Sequence, residues 1–231
     1  MALFALIHGG WHGPWVWDKV APLLTARGHE VVTPEIRVDE PGTWVEDGEK
    51  LEAELRDGIE DTVLVGHSAG GRWAAMVAAK HTPKLLIYIA PATPLAKIPE
   101  GMPDRVKPTV DEVVAYDDQD RDYLPLEAAV NWFYGRIGKE TARWAAAQLL
   151  HDTDRGSEFP LESVPDVPSA YIYGTEDEIF TSESMDWSAR NIFGVEPIAI
   201  PTGHTPQLEA PELLANLLCE LAEQSLTAGR S

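Results

Sequence analysis

The chain has little cysteine: Cys219 is the single one among 231 residues. An internal disulfide and a multi-cysteine metal site are therefore excluded. Cys219 falls in the apolar pattern of the last helix, so a buried thiol is expected. Basic residues are also scarce, with 18 Lys and Arg against 38 Asp and Glu and a net charge of -20. Such a surface repels phosphate backbones and anionic membranes, so neither nucleic acid nor membrane is an expected partner. Solubility alone is sufficient reason for the charge. No apolar run approaches the ~18 residues of a membrane span. The opening apolar run through Ile7 has no basic residues before it and is short, so it fits a buried strand better than a signal peptide. A reducing, cytoplasmic location fits the cysteine usage. No internal repeat or low-complexity tract occurs.

What is present is an ordinary globular composition, 44% hydrophobic and 24% charged, at a length suited to one domain with a small insertion. Six apolar runs read as strands: Leu3–Ile7, Glu30–Thr33, Thr62–Val65, Leu85–Ala90, Ala170–Tyr173 and Pro197–Ile200. They are continuous rather than alternating, as buried parallel strands should be. Helical stretches lie between them, near Trp15–Arg27, Trp44–Arg56, Ser68–His81, Glu183–Asn191 and Pro211–Gln224. In the last, Leu213, Leu214, Leu217, Leu218 and Leu221 form the expected inner stripe. The alternation predicts an α/β fold with a mainly parallel six-stranded sheet flanked by helices. Residues 1–92 and 166–231 would form this core. Residues 93–165 offer no convincing strand and read as an inserted cap. Its front is rich in proline (Pro94, Pro99, Pro103, Pro108) and then in aspartate, which suggests a lid. Helices are expected near Leu126–Tyr134 and Lys139–His151. Trp132, Phe133, Tyr134 and Trp144 would either line a pocket or bind the cap to the body.

The strongest chemical signal is Gly66-His67-Ser68-Ala69-Gly70, which follows a strand and opens a helix. In that setting G-x-S-x-G is a nucleophile elbow, with Ser68 at a sharp turn and small neighbours beside it. The fifth strand ends in Gly174-Thr175-Glu176-Asp177-Glu178, placing three carboxylates at the sheet edge where open α/β sheets hold their sites. The spacing does not choose among Glu176, Asp177 and Glu178. Of seven histidines, only His204 lies in a loop after the last strand. Serine, acid, histidine is the chain order of one known triad type. The histidine would take the serine proton and the acid would hold its tautomer.

The loop after the first strand, His8-Gly9-Gly10-Trp11-His12-Gly13, supplies a third element. A small residue at Gly10 lets its amide reach a tetrahedral oxyanion, and the Ala69 amide would be the second donor. The loop does not fit a dinucleotide site, because His8 stands where the first glycine is needed. His8 and His12 lack a nearby acidic third ligand, so backbone-bonded structural roles are expected rather than metal binding. His67 should point away from the apex and be structural.

These segments resemble the α/β-hydrolase superfamily, and within it the plant methylesterase and hydroxynitrile lyase group with its bacterial relatives. LIHGGWHGPWVWDKVAPLLTARGHEVV, VLVGHSAGG, YIYGTEDEIFTSESMDWSARNI and GHTPQLEAPELLANLL carry the likeness. The resemblance implies Ser68 as nucleophile, Asp177 as triad acid, His204 as base, and Gly10 and Ala69 as oxyanion donors. The lyases of that group carry a threonine after the first-loop histidine and a lysine after the triad histidine. Here those positions are Gly9 and Thr205, so cyanohydrin cleavage loses a hydroxyl and a cation.

The expected activity is a serine hydrolase acting on a methyl, aryl or small acyl ester, or a lactone, with no metal or organic cofactor. Trp11, Trp15 and Trp17 point to a small, apolar ester-like substrate. Trp11, Trp132, Trp144 and Thr205 are the expected substrate contacts. The alternatives are a natural-product tailoring hydrolase or lyase on the same triad, and a small-molecule binding protein on a hydrolase scaffold. A homodimer is left open.

Overall fold

The structure is a computed structural model that describes residues 1–55, 58–107, 113–156 and 159–228. Arg56, the expected end of the second helix, and Pro108 lie outside the described residues.

The six expected strands form one parallel sheet. They are β1 (Leu3–Ile7), β2 (Glu30–Val32), β3 (Thr62–His67), β4 (Leu85–Ile89), β7 (Ser169–Gly174) and β8 (Pro197–Ile200). Their order across the sheet is β2-β1-β3-β4-β7-β8. Phe4 pairs with Val31 on one side and with Val63 on the other, so β1 is interior. Every residue of β3 and β4 is buried, which is why these runs are apolar on both faces. The chain leaves β1 toward β2, then returns to β3 on the opposite side. The loops after β1 and β3 diverge there and open a crevice at the carboxyl ends of both strands.

The helices are α1 (Ala21–Ala26), α2 (Trp44–Leu55), α3 (Gly70–Lys80), α6 (Ser182–Asn191), α7 (Pro206–Glu209) and α8 (Pro211–Ala228). α2 packs on α3, and α1 packs on α8. The stretch expected as one helix from Trp15 to Arg27 is a 3-10 turn, Pro14–Trp17, followed by α1. Pro22 stands in the first turn of α1, where a missing N–H is tolerated but a continuing helix is not. Gly28, at φ +83°, follows the helix end. In α8 the inner stripe is Leu214, Ala215, Leu218, Cys219 and Ala222, while Leu213 is exposed. The stripe is thus rotated by about one residue from the leucine pattern. Cys219 is buried, with its Sγ 3.5 Å from His29 Nε2.

Between β4 and β7 the chain does contain strands, contrary to expectation. β5 (Ala115–Tyr116) and β6 (Asp122–Tyr123) form a short antiparallel pair. Asp117 Oδ1 accepts the Gln119 and Arg121 amides and turns the chain between them. Two residues per strand are too few to show a period in sequence. α4 (Leu126–Tyr134) matches its expected span, and α5 (Lys139–Ala146) ends before the expected His151. The two pack on each other.

Leu64 is fully buried at the centre of the sheet. Leu64→Ala is expected to cost about 2–5 kcal/mol through the cavity it leaves. Urea unfolding would show this as a lower midpoint at unchanged slope.

Candidate active site

Ser68 stands between β3 and α3 with φ +52°, a left-handed conformation that costs a non-glycine residue roughly 1–3 kcal/mol. Its amide donates to Ile89 O at 2.9 Å, and its carbonyl accepts from Gly71 N and Ala92 N. The backbone is therefore held on both sides of the strained residue. This strain is also why α3 begins at Gly70 and not at Ser68. A Cβ on Gly70 would lie 2.4 Å from His8 O and 2.6 Å from Ile7 O, so the start of α3 sits directly on the end of β1. A Cβ on Gly9 would meet Ser68 Cβ at 2.9 Å. A side chain at position 9 would press on Ser68 itself.

Of the three carboxylates left open by spacing, Asp177 is the one joined to the histidine. His204 Nδ1–H donates to Asp177 Oδ2 at 2.7 Å, and both side chains are buried. Asp177 Oδ1 accepts the amides of Ile179 and Phe180 at 2.7 and 3.0 Å. Burial pushes this carboxyl up, but the charge and bond of His204 and the two amides outweigh it and hold it below its ordinary value. Glu176 and Glu178 are exposed.

Three further histidines surround the site as neutral groups. Burial lowers His8 to about 4, His12 to about 3 and His67 well below its ordinary value. His67 Nε2–H donates to His204 O at 2.8 Å, so it supports the histidine loop. Ile36 N–H donates to His8 Nε2, which leaves the proton of His8 on Nδ1, donating to Gly9 O. Tyr134 O–H likewise donates to His12 Nε2, and His12 Nδ1–H donates to Gly10 O. Both first-loop carbonyls are thereby fixed. Among the described residues, neither the Gly10 nor the Ala69 amide is taken by an internal acceptor.

Gly10, Trp11, Ser68, Ala69 and His204 line one cavity of about 330 Å³. Ser68 and His204 share it without a direct hydrogen bond between them, a bond that often tightens only around substrate. Trp44, Trp73, Val106, Ile179 and Phe180 make its apolar wall, and Asp122, Asp152, Asp154 and Arg155 make a polar one. Trp132 and Trp144 are not in this lining. Trp144 is 46% exposed with its ring edge on Trp15, and Trp132 is half-buried against the core. Thr205 is not in the lining either. Its hydroxyl donates to Phe133 O at 3.0 Å and ties α4 to the histidine loop. Phe133 and Tyr134 are buried and bind the inserted segment to the body. No sequence signal marked the polar wall, because Asp122 lies in a two-residue strand and Asp152 and Arg155 in irregular chain, all far from any motif. Among the described residues, no group of three or more His, Cys, Asp or Glu side chains is placed to hold a metal ion.

Residues 4–217 match the model of the alpha/beta hydrolase family. The chain belongs to that family. Norfluorocurarine synthase 1 from a Strychnos species is 27% identical over 96% of this chain and 95% of its own length. Pyrethroid hydrolase of Sphingobium wenxiniae is 28% identical over 94% of this chain and 86% of its own. A crystal structure of a methylesterase from Arabidopsis superposes with a TM-score of 0.81 at 20% identity. That superposition covers 96% of this chain and 99% of the methylesterase. The hydrolase architecture thus extends across nearly the whole of both proteins.

Within the polar wall, burial pushes the Asp152 carboxyl up to about 7, and Arg155 offsets only part of that. In the unfolded chain the group returns to about 4. Between those values the folded protein keeps a proton that the unfolded chain has released. Its contribution to stability therefore falls as pH rises from about 4 to about 7. The stability of the wild type relative to Asp152→Asn should fall by up to about 4 kcal/mol between pH 4 and pH 8. Paired urea titrations check this, and a difference that stays flat with pH would exclude the retained proton.

Proposed function

We propose that this chain is an esterase-type hydrolase that cleaves carboxylic esters through an acyl-enzyme on Ser68. The observation that carries the reading is a buried His204–Asp177 pair, 2.7 Å apart, sharing one cavity with a serine on a strained elbow. In this reading His204 Nε2 takes the proton of Ser68 Oγ as Oγ attacks the ester carbonyl carbon. The Gly10 and Ala69 amides receive the oxyanion, and a helix begins directly behind Ala69. Collapse breaks the carbon–oxygen bond, and the alcohol leaves with the proton from His204. Water, deprotonated by His204, then releases the acid. The relatives named as a pyrethroid hydrolase and a methylesterase support ester chemistry.

The cavity walls narrow the substrate to a small ester with an apolar body. Its apolar lining is largely aromatic, and three aspartates also line it. Arg155, the cation in that wall, is already bonded to Asp47 and Asp152 and is not free to receive an anion. A tailoring reaction on the same triad is the second reading, favoured by the relative named as a synthase. A cyanohydrin lyase is disfavoured, because position 9 has no room for a side chain and the Thr205 hydroxyl is engaged with Phe133.

Ser68→Ala should lower kcat for 4-nitrophenyl esters by about 10⁶-fold. A fluorophosphonate should add once to the wild type and not to the variant, read by intact mass. Retained hydrolysis in Ser68→Ala would sink the proposal. Neutral 4-nitrophenyl butyrate should exceed the anionic hemisuccinate in kcat/KM by about tenfold or more, with a gap that narrows in salt. Equal rates would overturn the charge argument.

A further inference from the structure

Trp11 follows Gly10 and is held in a left-handed conformation, φ +57°, which a bulky residue rarely adopts. The segment between β4 and β7 grips it at three polar points. Its amide donates to Asp152 Oδ2 at 3.3 Å, its indole Nε1–H to Asp122 Oδ1 at 2.5 Å, and its carbonyl accepts from Leu150 N at 2.7 Å. Asp122 and Asp152 are themselves joined by reciprocal backbone bonds of 2.9 and 2.8 Å. The other oxygen of Asp152 accepts from Arg155 Nη1 at 2.9 Å. Arg155 is buried and anchored to the body through Asp47, Arg37 O and Val38 O. Above about pH 7, where it is ionised, Asp152 is therefore not a loose surface carboxylate but a fixed two-ended acceptor.

The peptide plane between Gly10 and Trp11 is fixed at both ends. Its carbonyl is held by His12 and its N–H by Asp152. The preceding plane has its carbonyl held by His8, and its N–H belongs to Gly10. Carbonyl and N–H point in opposite directions across a trans peptide. Glycine at position 10 offers no side-chain restraint of its own, so the direction of its amide depends on these neighbouring anchors. We infer that Asp152 is a positioning residue that, by holding the Trp11 amide, aims the Gly10 amide at the carbonyl oxygen bound over Ser68. The inference rests on the esterase reading and adds a residue from the inserted segment to the oxyanion machinery.

Asparagine has one oxygen for the two donors that Asp152 receives. In Asp152→Asn either Arg155 or Trp11 must face an NH₂ group. At about pH 8.5, where Asp152 is ionised, the expected result is a kcat lowered about 10- to 100-fold with KM within about threefold, because the loss falls on the transition state. Affinity for an arylboronic acid, whose tetrahedral serine adduct places an oxygen at the same amides, should fall by the same factor. The Trp11 amide proton should move upfield in the ¹H–¹⁵N spectrum as its carboxylate acceptor is lost. An unchanged kcat in a folded variant overturns the inference, as does a fall in kcat without a fall in boronate affinity. If wild type shows no hydrolysis that depends on Ser68, the esterase reading fails and the inference with it. The amide shift then still reports whether the clamp exists, so the two failures are distinct. Should Asp152→Asn not fold, hydrogen exchange of the wild type decides. A Trp11 amide that exchanges as fast as an open loop overturns the clamp, and protection of about 10³-fold or more supports it.

Discussion

The contact on which the rest of the site depends is between two backbones. Gly70, the first residue of α3, lies so close to the carbonyls of Ile7 and His8 that a single added carbon would overlap both. That closeness follows from the parallel register of β1 and β3, which ends the two strands within one residue of each other. It brings the first-strand loop to the elbow, so that Gly10 and Ala69 can share one cavity with Ser68. The strain at Ser68 is sustained by the same packing. Its neighbours in β4 and the following loop hold its amide and its carbonyl, and the elbow cannot relax without losing buried backbone hydrogen bonds.

Electrostatics at the site follow from burial. A hydrogen-bonded cluster of neutral imidazoles surrounds the His204–Asp177 pair at little Coulombic cost, because His8, His12 and His67 take up no second proton near pH 7. Both ring nitrogens of His8 and His12, and Nε2 of His67, are spent on backbone carbonyls, a backbone amide and one tyrosine hydroxyl, while His67 Nδ1 is buried without a partner among the described residues. They act as a scaffold for the loops rather than as a second set of bases. Asp177 keeps its charge because two amides and His204 replace its water. The polar wall is the opposite case. Asp152 is half-buried beside one shared cation, and desolvation wins.

Legibility in the sequence tracked how much each element depends on local pattern. β1 and β8 coincide with their apolar runs, since a buried parallel strand needs only a short continuous hydrophobic stretch. The elbow and His204 were readable because glycine spacing and position after a strand are local facts. Asp177 was not separable from Glu176 and Glu178 by spacing, since what distinguishes it is a bond to a residue 27 positions away. The placement of Trp132 and Trp144 was not legible for the same reason. Trp144 and Trp132 are as aromatic as Trp44 and Trp73, and only tertiary packing decides which pair meets the cavity. The stripe of α8 was misplaced by one residue because small residues, Ala215, Cys219 and Ala222, share the inner face with two of the leucines.

The inserted segment cannot be treated as a hinged cover, because it is bonded into the floor of the site. Val106 bridges to Phe180, three residues beyond Asp177, and Lys107 N donates to Ile179 O. Leu150 and Asp152 hold Trp11, and Thr153 N donates to Val38 O near the end of the sheet. Thr205 ties α4 to the histidine loop. Each loop carrying Gly10, Ser68, Asp177 or His204 therefore has at least one hydrogen bond to residues between β4 and β7, or lies one or two residues from such a bond. A rigid-body opening would have to break all of them together, at a cost of roughly 1 kcal/mol or more apiece. In the proposed esterase, changes in this segment that alter substrate choice thus also pull on the loops of Gly10, Asp177 and His204, so selectivity and rate should be coupled rather than adjustable one at a time.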